Sequence, residues 1–298
     1  MAHGKPHMND KADRTGNGVE PHTLYIVATP IGNLQDLSER GRHTLENVDF
    51  IAAEDTRHSA RLLKAFAISR PMLALHDHNE SRQAPEIIRR LKQGESAALV
   101  SDAGTPLVSD PGYRLVRAAQ DAGIPVRSIP GPSAAIAALS VAGLPTDRFA
   151  FEGFLPARKS ARRARLQELA EDPRTLIFYE APHRLKDLLA DCLAVLGPDR
   201  EAALVRELTK LHESSQRAPL SELHRRIESG EEPARGECVV LVGGSDKAAD
   251  ETERESDALL KALISEGISP SAAAAVARRL FPDAKRRDLY QRALDLST

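Results

Sequence analysis

The chain has 298 residues, enough for one or two globular domains with an appendage, and too many for a disulfide-stapled mini-protein. Its 41 Lys and Arg against 43 Asp and Glu leave a formal net charge of −2, which excludes whole-surface attraction to nucleic acid or anionic lipid. Hydrophobic residues at 41% and charged residues at 28% exclude the composition of a disordered chain, so any polyanion must be met by local patches on a folded surface.

Residues 1–22 are rich in Gly, Asn, Asp and Pro without apolar periodicity, and are expected to form a disordered arm. They lack the apolar stretch of a secretory signal, and no later run approaches the ~18 apolar residues of a membrane span. The expected location is the cytoplasm, with no membrane partner. From Leu24 onward, short apolar runs alternate with helical patterns. Strands are expected at Leu24–Ala28, Phe50–Ala53, Met72–Leu75, Ala97–Val100 and Val126–Ile129, with helices at Ser38–Val48, Thr56–Phe66, Ser81–Lys92, Tyr113–Asp121 and Ser133–Leu139. Such alternation implies βαβ units and a parallel sheet, giving an N-terminal α/β domain over 23–146. The stretch Gly143–Asp147 punctuates the pattern. A second α/β domain is expected over 147–244, with strands at Phe149–Glu152, Thr175–Tyr179, Ala203–Glu207 and Cys238–Val242 and helices near Ser160–Ala170, His183–Val195 and Leu220–Ser229. Residues 245–257 read as a charged linker, and 258–298 as three short helices resembling a helix-turn-helix module. That last segment holds seven Lys and Arg against four Asp and Glu.

In an open α/β sheet ligands bind beyond the carboxyl ends of the strands, so the loops there are where chemistry is expected. Thr29 to Leu34 form a tight turn without the three glycines of a dinucleotide fingerprint, which disfavours a nicotinamide cofactor. Ser101 to Gly112 are dense in small, acidic and turn-forming residues and contain no phosphate-selecting Lys. Pro130 to Ala134 offer Pro at a first helical turn and a hydroxyl near free N–H groups. The second and third strands are followed by Glu54-Asp55-Thr56-Arg57 and by His76-Asp77-His78-Asn79-Glu80. Glu54, Asp77 and Asp102 are expected to rim one crevice. The HxH pair with its carboxylates has metal-ligand types but no second cluster, and Cys192 and Cys238 form no CxxC, so no metal is assigned. Between the halves, Arg158, Lys159, Arg162, Arg163 and Arg165 lie within eight positions without an acid. Such a run is a solvated helix face or a clamp for nucleic acid phosphates.

Nine segments in one order carry a resemblance: VATPIGNLQDLS, AAEDTRHS, HDHNE, VSDAGTPLVSDPGYRLV, IPGPSAAIAAL, FEGFLPARKSARR, FYEAPHR, VRELTKLHE and RGECVVLVGG. Together they resemble the tetrapyrrole methylase superfamily, and within it the branch that methylates small-subunit ribosomal RNA. The resemblance implies a parallel-sheet N-terminal domain, a mixed-sheet second domain and a small C-terminal helical module. It implies a homodimer that binds S-adenosylmethionine between the domains and methylates the 2′ hydroxyl of a decoding-centre cytidine in 16S ribosomal RNA of the small ribosomal subunit. Cofactor-binding positions carried over are Pro30, Ala103, Gly104, Thr105, Val108, Ser133 and Ala134, with Tyr179, Glu180, Leu208, Gly236 and Glu237 from the second domain. Candidates to orient or deprotonate the ribose hydroxyl are Asp102, Asp77 and Glu54. RNA contacts are expected from Arg158, Lys159, Arg162 and Arg163 and from Arg286 and Arg287 in the last helix. The tetrapyrrole enzymes carry a GGDPFxFGRG-type loop where this chain has AGTPLVSDPG, so the porphyrin-side Arg is missing. Three other readings stay open here: a tetrapyrrole methyltransferase, a metal-dependent hydrolase using Glu54, Asp55, Asp102 and Asp110, and a non-catalytic RNA-binding assembly factor.

Overall fold

The computed structural model describes residues 18–245, 247–282 and 284–297, without the side chains of 247–254. Five short strands, β1 (Leu24–Val27), β2 (Phe50–Ala53), β3 (Met72–Ala74), β4 (Ala97–Val100) and β5 (Val126–Ile129), form a wholly parallel sheet in the order β3-β2-β4-β1-β5. Helices α1 (Glu39–Asn47), α2 (Thr56–Ala65), α3 (Glu80–Lys92), α4 (Tyr113–Asp121) and α5 (Ala134–Val141) follow the strands in turn. Both faces of the sheet's centre are covered, which is why β1, β2 and β4 read as continuous apolar runs, while the edge strand β5 exposes Arg127 and Ser128. Leu24, Phe50, Ala52 and Leu99 pack with Ile87, Leu91 and Leu115 of α3 and α4, while Tyr25, Val27 and Ile51 pack with Leu45 and Leu63 of α1 and α2. Because β4 inserts between β1 and β2, the chain leaves the neighbouring strands β1 and β4 in opposite directions. That reversal opens a crevice at their carboxyl ends.

The second sheet contains β6 (Phe149–Phe154), β7 (Thr175–Glu180), β8 (Glu201–Arg206), β9 (Ser214–Pro219) and β10 (Cys238–Val242), in the order β6-β7-β10-β8-β9. It is mixed: β6 and β7 are parallel, and β10 runs antiparallel to both β7 and β8. One face carries α6 (Lys159–Glu168), α7 (Leu185–Leu196) and α8 (Leu220–Ser229) over a core that includes Leu166, Phe178, Leu189 and Val240. The other face packs Ile177, Val205 and Leu241 against Ala138 and Leu139 of α5 and against Ile31 from the loop after β1. This apolar seam fixes the two sheets to each other. The last helices, α9 (Lys247–Ser265), α10 (Pro270–Leu280) and α11 (Arg286–Asp295), close around Leu260, Ala273, Ala277 and Leu289.

Three expectations are corrected. The polar edge strand β9 was not foreseen, because SSQRAP has neither apolar alternation nor β-branched residues; it exists by hairpin pairing with β8, from Glu201 opposite Pro219 to Arg206 opposite Ser214. The segment read as a linker is helical from Lys247, so α9 runs through it without a break. Most of the expected arm, residues 1–17, lies outside the described residues. Its end does not hang free: the Glu20 amide donates to the Tyr25 hydroxyl, Arg127 pairs with the Glu20 carboxylate, and His22 Nδ1 lies 2.8 Å from the Leu91 carbonyl.

Candidate active site

Loops from both sheets enclose a cavity of about 450 Å³ at the crevice between β1 and β4. Backbone pairing stitches its floor: the Thr29 amide donates to the Gly104 carbonyl at 2.8 Å, and the Gly104 amide donates back at 3.0 Å. Gly104 has φ +82°, and a Cβ there would lie 3.3 Å from Ile31 Cγ2, so the loop after β4 needs glycine to approach the loop after β1. The Thr105 hydroxyl then donates to the Pro132 carbonyl at 2.9 Å, tying in the loop after β5. Ser133 caps α5 by its backbone only, and Pro132 lies before the cap rather than inside the first turn. Leu107 and Ser109 hold left-handed φ of 73° and 67°, strained conformations in the same small-residue loop.

One wall of the cavity is acidic. Glu54 and Asp102 line it as expected, and Asp110 joins them. The Asp55 amide donates to Asp102 Oδ1 at 3.1 Å, which fixes that carboxylate beside the start of α2. Burial, then the negative charges of Asp110, Asp102 and Asp77, push the Glu54 carboxyl up to about 7. Burial also raises Asp110, opposed by a hydrogen bond from Ser101. Asp77 is exposed and does not line the cavity; it acts on Glu54 through its field alone. No group of three His, Cys, Asp or Glu among the described residues converges as metal ligands would.

The opposite wall comes from the second sheet. Tyr179 and Glu180 end β7, and the Tyr179 oxygen accepts a hydrogen bond from the Ala135 amide at 3.0 Å. Burial raises the Glu180 carboxyl; its Oε1 receives the Ala181 amide and lies 3.2 Å from Arg184 Nε, while buried Oε2 has no partner among the described residues. Ala103, Gly104, Thr105, Val108, Ser133, Ala134, Tyr179, Glu180 and Glu237 all line the cavity. Pro30, Leu208 and Gly236 do not. Ile31 faces the cavity in place of Pro30, and Leu208 is buried in the seam. Gly236 has φ +72°, and a Cβ added there would run into the Glu207 carboxylate.

The pattern of the tetrapyrrole (corrin/porphyrin) methylases matches residues 23–224. The chain belongs to the tetrapyrrole methylase family. Among curated tetrapyrrole methylase relatives, the ribosomal RNA small subunit methyltransferase I of Xylella fastidiosa is 54% identical over 91% of this chain and 98% of its own length. The protein of the same name from Pseudomonas aeruginosa is 52% identical over 91% and 96%. Solved structures share the fold at lower identity. A Thermus thermophilus uroporphyrin-III C-methyltransferase complexed with S-adenosylhomocysteine has a TM-score of 0.52 at 18% identity, over 74% of this chain and 97% of that one. The methyltransferase CobJ has 0.55 at 20%, over 75% and 93%.

The basic run of this tetrapyrrole methylase divides. Arg158 and Lys159 are exposed at the start of α6. Arg162 is not available to RNA: only 3% exposed, it lies 2.7 Å from Asp191, itself 1% exposed, and donates to the Ala157 carbonyl. Helical spacing turns position 162 inward while its neighbours face out. Arg163 is partly exposed and also pairs with Asp191. Arg286 and Arg287 line a shallow surface depression with Ser271 and Tyr290 on the C-terminal helices. Sequence reasoning passed over Ile31, Ser109 and Phe154 at the cavity. Apolar Ile31 and Phe154 read as ordinary core, and only the juxtaposition of two sheets puts them at the cavity.

Proposed function

We propose that this protein transfers a methyl group from S-adenosylmethionine to the 2′ hydroxyl of a cytidine in 16S ribosomal RNA of the small ribosomal subunit. The observation that carries this reading is the near full-length match to proteins named ribosomal RNA small subunit methyltransferase I, with identities above half. The cavity fits the cofactor. Its volume suits a nucleoside-sized ligand, its backbone-rich floor admits close approach, and the unpartnered Glu180 Oε2 awaits a donor. Ala103, Gly104, Thr105, Val108, Ser133, Ala134, Tyr179, Glu180 and Glu237 would hold it. When bound, it supplies a methyl carbon on a positively charged sulfur, open to in-line attack by an oxygen nucleophile.

The chain contributes orientation and a proton acceptor. Glu54 is the base in this reading: held near 7, its carboxylate is more basic than an ordinary glutamate yet ionised in part at neutral pH. It accepts the ribose hydroxyl proton, while Asp102, oriented by the Asp55 amide, supports the reacting group. Exposed Arg158, Lys159, Arg286 and Arg287 hold phosphates, and two copies of the chain act together as a homodimer. The boundaries at 146 and 244, and action in the cytoplasm, belong to the same proposal.

Radiolabelled methyl transfer to purified small subunits from cells lacking the gene, followed by nucleoside analysis, tests the reading. Label in a 2′-O-methylcytidine derivative supports it. Cofactor binding without transfer overturns the substrate assignment and leaves the fold untouched.

A further inference from the structure

Phe154, at the end of β6, is a large apolar side chain 58% exposed, and it lines the cavity rather than a core. Its position depends on a bulge. Phe151 pairs with Ile177, then Gly153 with Phe178 and Phe154 with Tyr179, so β6 spends one more residue than β7 over this stretch. In a regular strand, residues 151 and 154 point to opposite faces of the sheet. The extra residue turns Phe154 to the face of Phe151 and Tyr179, and bulges re-aim side chains in this way beside functional sites. Both phenylalanines stand edge-to-face on the Tyr179 ring, with centroids at 4.9 Å for Phe151 and 5.7 Å for Phe154. Phe151 is packed in the seam, whereas Phe154 presents its ring to solvent at the cavity. Gly153 makes the turn with φ +62°, against Ser109 of the strained loop.

The chemistry around Phe154 selects an occupant. A ring anchored on a second ring is a flat platform, exposed Arg158 and Lys159 follow it by four and five residues, and the carboxylates Glu54 and Asp102 line the same cavity. An apolar plane with exposed cations four and five residues further along the chain suits an unstacked base on its phosphate backbone. We infer that Phe154 is a substrate-binding residue: its ring stacks on the base of the nucleotide being methylated, extruded from the RNA so that its ribose reaches the carboxylate wall. This rests on the RNA-methylating reading above and goes beyond it by naming the surface that receives the base.

The test measures kcat/KM for methyl transfer to small subunits for wild type, Phe154→Ala, Phe154→Leu and Phe154→Trp, with cofactor Kd and sedimentation measured for each. The expected result is a loss of about tenfold or more for Ala and Leu, with Trp within about threefold of wild type. Cofactor Kd and sedimentation stay unchanged, because an exposed ring is removed without opening a core. Full activity of Phe154→Leu overturns the inference, since Leu fills space but offers no π face. So does an equal loss in cofactor affinity, which makes Phe154 a cofactor contact, or altered sedimentation, which makes it a subunit contact. If wild type itself transfers no methyl to small subunits, the functional reading fails first; an active wild type with indifferent variants sinks the stacking alone.

Discussion

The Tyr179 hydroxyl, on the second sheet, accepts a hydrogen bond from the Ala135 amide in the first turn of α5, 3.0 Å away. This one bond crosses the cavity's edge and joins the strand that supplies Glu180 to the helix that supplies Ser133 and Ala134. Tyr179→Phe removes the acceptor while keeping the ring that supports Phe151 and Phe154. The expected loss is about 1 kcal/mol in urea unfolding. Cofactor affinity should fall by several-fold in calorimetry, since the Ala135 amide loses the partner that ties the first turn of α5 to β7.

Glu54 sets a pH dependence. As a base it must be ionised, so kcat/KM should rise with pH through about 7 and level off above it. Glu54→Gln should remove that limb and slow transfer by about a hundredfold or more. Stability moves the other way. The folded state favours the protonated carboxyl, so Glu54 contributes most below its ordinary 4.5, and that contribution is lost as pH rises through about 7. Melting scans should therefore find Glu54→Gln more stable than wild type at pH 8 and little different at pH 4.

Arg162 and Asp191 form a buried pair under α6. Asp191→Ala leaves a guanidinium buried beside Leu166 and Cys192, and chemical denaturation should show a loss of about 3 kcal/mol or more. Replacing both residues, as in Arg162→Met with Asp191→Leu, should cost less than Asp191→Ala alone. A double variant worse than the single would show that the hydrogen bond to Ala157, rather than charge compensation, is what matters there.

Gly153 tolerates no side chain. At φ +62°, with an added Cβ 3.0 Å from Ser109 Oγ, Gly153→Ala should lower stability by about 1 to 2 kcal/mol. Adding Ser109→Gly should recover part of the loss by freeing the space, which a thermal melt of the double variant reads directly.

Salt dependence separates the arginines. Removing Arg158 or Lys159 should lower the slope of log affinity for small subunits against log salt by about one each, as expected for a phosphate contact. Arg162→Met should leave the slope unchanged, because that guanidinium is buried and Asp191 keeps Arg163 as its partner.

The inner strands of the parallel sheet were readable because they are buried on both faces and must be unbroken apolar runs bounded by turn residues, as FIAA and AALV are, whereas the edge strand β5, VRSI, exposes Arg127 and Ser128. The loops that follow them were readable for the same reason: a parallel sheet delivers every loop after a strand to one edge, so Glu54, Asp102 and Gly104 could be grouped before any geometry was known. The small-residue composition of 101–112 announced close backbone approach, and the structure supplies it in the pairing of Thr29 with Gly104. Strand β9 was hidden because an edge strand takes its stability from its partner rather than from its own residues.

By itself, then, the sequence determined what is local or periodic: element type, the sheet edge where the loops gather, the family, and the residue types available for chemistry. Tertiary structure decided which of those groups meet and which are removed from use. It buried Arg162 against Asp191 while leaving Arg158 outside, and kept Asp77 from the cavity that its field reaches. It also shifted β6 by one residue so that Phe154, rather than its neighbour, stands on Tyr179. The reason is physical. Burial, pairing register and the field of distant carboxylates are properties of a packed arrangement, set by contacts between residues that the chain order keeps far apart.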